Sequence, residues 1–282
     1  PVSRIARYGK EILVPALITA FSNQCDLVFA PTSTMKDHLL EQGTKTRISV
    51  LPTGLDRVSF QYDEMLSSEI RNMYGNGCPY LFATTARLEK EKNLDFLFRG
   101  TARLRDILGQ DFRLMVIGDG TERRHLEELA RMLGISRQIV FTGKIENTRV
   151  RHYLNAADAF LFASKSETQG IVLLEAMAAG CPVAAVRAGV VDVVRQGING
   201  YMTEEAPEAF AAAAARLVLE RGVWSGMSEE ARKTAELYES GRIAALAAEQ
   251  YGLMTGQKED AGYEEHGKGM LVPSILRLFK AA

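Results

Sequence analysis

The stretch YLFATTARLEKEKNLDFLFRGTARLRDILGQDFRLMVIGDG, residues 80–120, predicts a strand, a helix and a second strand in succession. The segments YLFATTA and FRLMVIGDG are short apolar runs, as expected for strands that are buried on both faces. Between them, NLDFLFRGTARLRDIL has the pattern of a helix. A strand, a crossover helix and a strand in this order favour two parallel strands in one sheet.

The same alternation continues beyond residue 120. The helical patterns TERRHLEELARML and NTRVRHYLNAA alternate with the apolar runs QIVFTG, DAFLFAS, PVAAV and GYMT. The predicted fold class is therefore α/β, with a doubly wound, parallel, Rossmann-like sheet. In such sheets ligands bind beyond the carboxyl ends of the strands, so we expect the functional residues in the loops that follow the strands.

Composition narrows the class of protein. The 282 residues are 46% hydrophobic and carry a net charge of −1, which is typical of a globular protein without a basic field for nucleic acid. The cysteines Cys25, Cys78 and Cys181 are far apart, which argues against a disulfide framework or a zinc site and favours a reducing, cytoplasmic compartment. No apolar run of about 18 residues predicts a membrane span.

The sequence predicts four regions along the chain. Residues 1–54 are expected to be the end of an incomplete N-terminal α/β domain, because two strands and two helices do not complete a layered domain. Residues 55–79 are predicted to be a connection, 80–240 the Rossmann-like domain, and 241–282 C-terminal helices and a tail. The chain begins without Met inside a helical pattern, which we interpret as a fragment of a longer protein.

Two carboxylates stand out in SKSETQGIVLLEAMAAG, residues 164–180. A helix is predicted to begin near Gly170, and its first amides form an anion site. Glu167 precedes the turn and Glu175 lies in the helix, so both acids are predicted to flank one ligand. Carboxylates suit sugar hydroxyls, which donate hydrogen bonds to them. The alternative interpretation is a surface acid and a solvated helix residue.

Two further loops carry candidate residues. Arg87 and Lys92 follow the first strand of the Rossmann-like domain, ahead of Asn93, which is predicted to cap a helix. A guanidinium and an ammonium together suit a diphosphate, and the alternative is a solvated basic face. Gly118 and Gly120 form a Gly-Asp-Gly loop, which lacks the third glycine of a dinucleotide fingerprint, so the glycines are interpreted as close packing of helix on strand.

Together, in this order, the segments RLEKEKN, GDG and ETQGIVLLE resemble the C-terminal half of retaining GT-B glycosyltransferases of the family-four class. The resemblance covers roughly residues 25–240 and includes LPTGLD, which looks like the interdomain connection. The TQG within the acidic segment is similar to the diacylglycerol glucosyltransferase branch. The resemblance implies a GT-B type fold with a partial first domain and a donor-binding second domain.

The resemblance also implies residue roles. Arg87 and Lys92 would neutralise the diphosphate of a UDP- or GDP-linked sugar, and Glu167 would hold the hydroxyls of the sugar, so these three are the predicted catalytic residues. Glu175 would bind the ribose, and the backbone at Lys144 and Ile145 would read the base. The remaining predicted donor-binding residues are Gly118, Gly120, Thr168, Gln169, Gly170, Ile171 and Val172. No metal and no cofactor are expected.

The function implied is a hexosyltransferase that retains the anomeric configuration and uses a sugar or a membrane lipid as acceptor. A chain without the rest of its first domain would lack acceptor contacts and is expected to be inactive alone. The alternatives are a non-catalytic nucleotide-sugar-binding module and an epimerase on the same architecture. Arg4, Arg7 and Lys10 share a helical face, and the tail MLVPSILRLFKAA is amphipathic, so peripheral contact with the inner membrane face is a further hypothesis beside packing onto a neighbouring domain.

Overall fold

The computed structural model describes residues 13–187 and 193–255. Within these ranges the chain forms two compact units. The larger unit is Gly54–Ser240, and the smaller unit combines residues 13–53 with residues 241–255. The basic face at residues 4–10 and the amphipathic tail, for which membrane contact is predicted, lie outside the described residues.

The smaller unit contains a parallel pair of short strands. Its elements in the first part of the chain are α1 (Val14–Ser22), β1 (Val28–Ala30), α2 (Ser33–Glu41) and β2 (Ile48–Val50). Strands β1 and β2 pair in parallel, joined by α2. The hydroxyl of Thr32 accepts a hydrogen bond from the Met35 amide at 3.1 Å, which satisfies a free donor at the start of α2. The sequence predicts the end of an incomplete α/β domain over residues 1–54, and this domain assignment stays a prediction.

The larger unit is built around a six-stranded parallel sheet, which confirms the predicted doubly wound fold. Its strand order is β5-β4-β3-β6-β7-β8, and every neighbouring pair is parallel. The strands are β3 (Tyr80–Thr85), β4 (Phe112–Ile117), β5 (Ile139–Gly143), β6 (Ala159–Phe162), β7 (Val183–Val186) and β8 (Gly200–Thr203).

Helices cover both faces of this sheet. They are α3 (Glu64–Gly75), α4 (Leu94–Leu108), α5 (Arg123–Met132), α6 (Asn147–Asn155), α7 (Ile171–Ala178), α8 (Pro207–Leu219) and α9 (Arg221–Glu236). The helix α10 (Ser240–Thr255) then continues into the smaller unit. The segment 55–79, for which a connection is predicted, holds a 3₁₀ helix at Arg57–Phe60 and the helix α3.

The uniform hydrophobicity of the strands follows from burial on both faces. Along β3, Phe82 packs into one apolar cluster, while Leu81 and Ala83 pack into the cluster on the opposite face. The neighbouring strand β4 divides in the same way, with Leu114 on one face and Met115 on the other. Successive side chains of a strand point to opposite faces, so every position must be apolar when both faces are covered.

The strand order reverses between β3 and β6, which lie side by side in the middle of the sheet. The loop after β3 leads to α4, whose apolar residues belong to one cluster. The loop after β6 leads to α7, whose apolar residues belong to the other cluster. The two loops therefore leave the sheet toward opposite faces and open a crevice between them, which is where ligands bind in folds of this type.

The entry and exit of the larger unit are hydrogen-bonded to each other. The Leu55 amide donates to the carbonyl of Tyr238 at 2.7 Å, and the Ser240 amide donates to the carbonyl of Leu55 at 2.8 Å. Gly54 lies so close to this exit that a Cβ added to it would be 2.7 Å from the Cα of Ser240. The unit is thus closed at its own ends by backbone contacts.

A charged cluster attaches α3 to the edge where β3 and β6 begin. The Asp158 carboxylate accepts from the Leu81 amide at 2.7 Å and from the Arg71 guanidinium at 2.9 Å. Arg71 also donates to the carbonyls of Pro79 and Ala156, at 2.8 and 2.9 Å. One guanidinium therefore joins the helix to both strand starts.

Replacing Asp158 with Ala is expected to lower the free energy of unfolding by about 2 kcal/mol, because a strand amide and a guanidinium both lose a charged acceptor. Chemical denaturation monitored by circular dichroism measures this loss. Asp106→Ala is the control: its carboxylate is 51% exposed beside Arg103, and the change should stay within about 0.5 kcal/mol. Equal losses in the two variants would contradict the structural role given to Asp158.

Candidate functional site

A cleft of about 480 Å³ lies at the carboxyl ends of β3, β4, β5 and β6. It occupies the crevice at which the strand order reverses, in agreement with the general rule for such sheets. The loops that the sequence singled out after the first, second and fourth of these strands all contribute to its walls. The predicted residues that line it are Arg87, Lys92, Gly118, Lys144, Ile145, Glu167 and Val172.

The other predicted residues do not line this cleft. Gly120 packs against the backbone of Leu88. Residues 168–170 form the turn into α7, and residue 171 is the first residue of that helix. Glu175 lines a second, smaller cavity. The structure thus brings together residues from loops far apart in sequence, while their contacts with a donor stay predictions.

An ion pair between Lys92 and Glu167 is the main polar feature of the cleft. Lys92 Nζ lies 2.6 Å from Glu167 Oε1, and the two side chains are only 15% and 19% exposed. The residues come from the loops after β3 and β6, on the two sides of the crevice. The sequence predicts that Lys92 contacts a diphosphate and Glu167 a sugar, and the structure shows in addition that the two side chains pair with each other.

The backbone around Lys92 explains how its side chain enters the cleft. Lys92 ends a 3₁₀ helix, Lys90–Lys92, and Asn93 then adopts a left-handed conformation with φ of 53° before α4 begins. Asn93 occupies the N-cap position of α4, as predicted, but its side chain makes no capping hydrogen bond. Its amide instead donates to Glu205 at 3.1 Å, since the left-handed backbone turns the side chain away from the first turn of α4.

Arg87 differs from Lys92 in its environment. Its side chain is 76% exposed, and its nearest charged partner is Glu91, 3.5 Å away. An exposed arginine with one weak ion pair keeps its freedom to rotate. Arg87 is therefore a mobile cation at the rim of the cleft, while Lys92 is a fixed cation inside it.

The glycines of the Gly-Asp-Gly loop allow two loop backbones to touch. A Cβ at Gly118 would be 2.1 Å from the carbonyl oxygen of Ala86, and a Cβ at Gly120 would be 2.5 Å from that of Leu88. The Leu88 amide donates to the carbonyl of Asp119 at 3.1 Å, which joins the same loops. Sequence reasoning expected packing of helix on strand, whereas the contact is between the loop after β4 and the loop that carries Arg87.

Gly118→Ala is expected to lower the free energy of unfolding by at least about 3 kcal/mol, because the backbone has φ of 131° and the added methyl group would overlap a carbonyl oxygen. Gly109→Ala is the matched control. Gly109 also has a positive φ, 64°, but an added Cβ would meet nothing within 4 Å, so only about 1 kcal/mol should be lost. Urea unfolding compares the two, and equal losses would show that the backbone conformation alone sets the cost.

Helix α7 begins beside the cleft. Gly170 precedes it in a left-handed conformation with φ of 70°, which only glycine adopts without strain. The first amides of a helix have no acceptor within the helix and carry the positive end of its dipole. Val172, in this first turn, lines the cleft. The first turn of α7 therefore reaches the wall of the cleft that Lys92 also lines.

Glu175 lies next to the cleft in a separate pocket. It lines a cavity of about 30 Å³ together with Ser59 and Arg151, and this cavity shares Asn147 and Val150 with the larger cleft. Burial raises the pKa of the Glu175 carboxyl above its ordinary value of 4.5. The carboxylate has no hydrogen-bonding or ion-pairing partner among residues 13–187 and 193–255. Glu175 and Glu167 therefore face neighbouring cavities, not one.

Glu175→Gln is expected to raise the free energy of unfolding at pH 8. A carboxyl whose folded-state pKa is raised destabilises the fold when it is ionised, and this penalty disappears as the pH falls through that pKa to below 4.5. The difference in melting temperature between variant and wild type should accordingly shrink from pH 8 to pH 4.5 and below. The exposed Glu236→Gln is the control, and a pH-independent difference would contradict the desolvation argument.

Several polar residues of the cleft were not singled out in the sequence, among them Thr85, Ser164 and Asn147. Thr85 is the last residue of β3, and Ser164 comes shortly after the end of β6. The hydroxyl oxygens of both residues are buried without a partner among the described residues. Asn147 lies at the start of α6, on the border of both cavities. Their position at or just after the ends of strands could have indicated that they belong to the site. Small polar residues are common at such positions, so this position alone does not single them out.

These features define a class of protein, the GT-B glycosyltransferase fold. The structure is similar to HepE of Anabaena, solved with UDP and glucose, with a TM-score of 0.76 and 20% identity over 84% of this chain and 66% of HepE. It is also similar to the pneumococcal O-GlcNAc transferase GtfA, solved with UDP and GlcNAc, with a TM-score of 0.70 and 22% identity over 85% of this chain and 47% of GtfA. The predicted GT-B type is confirmed.

The chain belongs to the family described as glycosyl transferases group 1, whose model matches residues 69–235. Alpha-monoglucosyldiacylglycerol synthase of Streptococcus pneumoniae is 33% identical over 180 residues, which are 61% of this chain and 40% of the relative. Sulfoquinovosyl transferase SQD2 of Arabidopsis thaliana is 30% identical over 209 residues, 70% of this chain and 39% of the relative. The chain spans less than half the length of these two relatives.

The described residues also bear on the predictions about membrane spans and metal sites. None of the helices in residues 13–187 and 193–255 is both long enough and apolar enough to cross a membrane. The same residues contain no group of three or more His, Cys, Asp or Glu side chains placed to hold a metal ion. The predicted absence of a metal and of a cofactor stays a prediction.

Proposed function

We propose that this chain is the donor-binding part of a glycosyltransferase that transfers a hexose from a UDP- or GDP-linked sugar. The observation that carries the proposal is the Lys92–Glu167 ion pair inside a cleft at the crossover of the sheet. A cation and an acid in one cleft match a ligand that combines a diphosphate with a sugar. UDP is the first choice of nucleotide, because HepE and GtfA were both solved with it.

The cations of the cleft suit the departure of a diphosphate. Breaking the bond at the anomeric carbon leaves negative charge on the departing nucleotide. Lys92 and the mobile Arg87 line the cleft, and Val172 brings the first turn of α7 to its wall, so these groups would stabilise this charge. Preorganised positive charge of this kind acts without a metal or a cofactor, and we propose that neither is required.

The acids suit the sugars of the donor. Glu167 lies in the cleft and would accept hydrogen bonds from the hydroxyls of the transferred hexose. Glu175, without a partner in its own cavity, would accept from the ribose, and the loop at Lys144 and Ile145 would contact the base. Retention of the anomeric configuration is part of the proposal through the family-four resemblance.

A lipid is the proposed acceptor. The support is the name of the pneumococcal relative, a synthase of alpha-monoglucosyldiacylglycerol, together with the TQG segment at Thr168–Gly170. Catalysis would take place at the cytoplasmic face of a membrane, with peripheral contact.

Incubation of the full-length protein with UDP-glucose and diacylglycerol vesicles should yield a glycolipid. Donor binding without transfer would favour a binding module, and conversion of the donor sugar without an acceptor would favour an epimerase.

We expect a UDP-sugar at about 100 times its Kd to stabilise the chain by roughly 2.7 kcal/mol, which a thermal-shift panel of UDP- and GDP-sugars measures. Lys92→Ala should weaken binding about tenfold or more, because a charge-assisted bond to the diphosphate is lost. Lys233→Ala is the control, since Lys233 is also paired with an acid but lies outside the cleft. Lack of stabilisation by every nucleotide-sugar would overturn the proposed function.

A further inference from the structure

The Lys92–Glu167 pair imposes a condition on any ligand of the cleft. The two side chains are largely buried and in direct contact, so each is the principal charged partner of the other. Separating such a pair leaves a sheltered charge unsatisfied unless a new partner replaces the old one. A ligand that enters between them must therefore supply a partner for each side chain. Otherwise one charged group stays sheltered from water and has no partner.

We infer that this pair makes the cleft selective for an intact nucleotide-sugar over the free nucleoside diphosphate. The inference rests on the proposed function. A nucleoside diphosphate gives Lys92 a new partner but leaves the Glu167 carboxylate with none. A nucleotide-sugar gives its diphosphate to Lys92 and its sugar hydroxyls to Glu167, so both charges are satisfied at once. The acid thus acts as an internal competitor of the diphosphate, and the sugar removes that competition.

The surrounding contacts indicate that the exchange proceeds by rotation of side chains. Glu205 accepts from Lys165 at 2.5 Å and from Asn93 at 3.1 Å. Asn93 directly follows Lys92, and Lys165 lies two residues before Glu167. One carboxylate outside the cleft therefore ties together the two loops that carry the pair. Because these loops are joined, the pair separates when the Lys92 and Glu167 side chains turn, without opening of the loops.

The same exchange favours release of the product. After transfer the sugar has left, and the nucleoside diphosphate remains with Lys92 while Glu167 has lost its hydroxyl partners. Re-formation of the Lys92–Glu167 pair then competes with the diphosphate for the same ammonium group. The selectivity for donor over product at equilibrium thus appears kinetically as faster dissociation of the diphosphate.

Isothermal titration of UDP and of UDP-glucose into the wild-type chain and Glu167→Gln tests the inference. In the variant, UDP should bind more tightly, because Lys92 no longer has a charged competitor. UDP-glucose should gain nothing, because a neutral amide replaces the carboxylate that accepts from the sugar. The ratio of the Kd for UDP to the Kd for UDP-glucose should fall roughly tenfold. Glu208→Gln, which removes an acid from an arginine pair outside the cleft, should leave this ratio unchanged.

A double variant separates ion-pair exchange from simple repulsion between Glu167 and the phosphates. In a Lys92→Met background, Glu167→Gln should no longer tighten UDP binding, because there is no ammonium group to release. Tightening of equal size in that background, or an unchanged ratio in Glu167→Gln alone, would overturn the inference while leaving the proposed function intact. Failure of the wild-type chain to bind any UDP or GDP compound would overturn the proposed function itself. Melting temperatures of all variants establish that each is folded.

Discussion

The larger unit depends on one topological constraint, the reversal of strand order between β3 and β6. At this reversal the loops that follow the two neighbouring strands leave the sheet toward opposite faces, which opens a crevice between them. The charged residues Lys92 and Glu167 approach each other across this space from opposite sides.

Much of this architecture could be predicted from the sequence. The apolar runs at residues 80–86 and 112–117 are buried on both faces, and a parallel sheet requires that pattern. The candidate loops could also be placed, because strands of a parallel sheet all end at the same edge. Lys92 and Glu167 were each chosen for this reason, and both line the cleft. The buried strands follow from the hydrophobic pattern of the sequence, and the position of the loops follows from the common direction of parallel strands.

The remaining features depend on geometry that spacing does not reveal. Lys92 and Glu167 are 75 positions apart, and their contact follows from the exact path of two irregular loops. Glu175 was expected beside Glu167, yet its turn of α7 faces a neighbouring cavity next to Arg151. Asparagine is a common helix-capping residue, but the left-handed backbone of Asn93 directs its side chain to Glu205. In each case the direction of a side chain was decided by tertiary contacts.

The hydrogen bonds between Leu55 and residues 238–240 have a consequence for how such proteins diversify. A unit whose first and last backbone groups adjoin can be inserted into, or exchanged between, different host chains at little cost in loop-closure entropy. The family model matches residues 69–235, which lie wholly inside this closed unit. Recombination at Leu55 and residues 238–240 would transfer the whole sheet and its crevice as one module, whatever sequence is attached on either side.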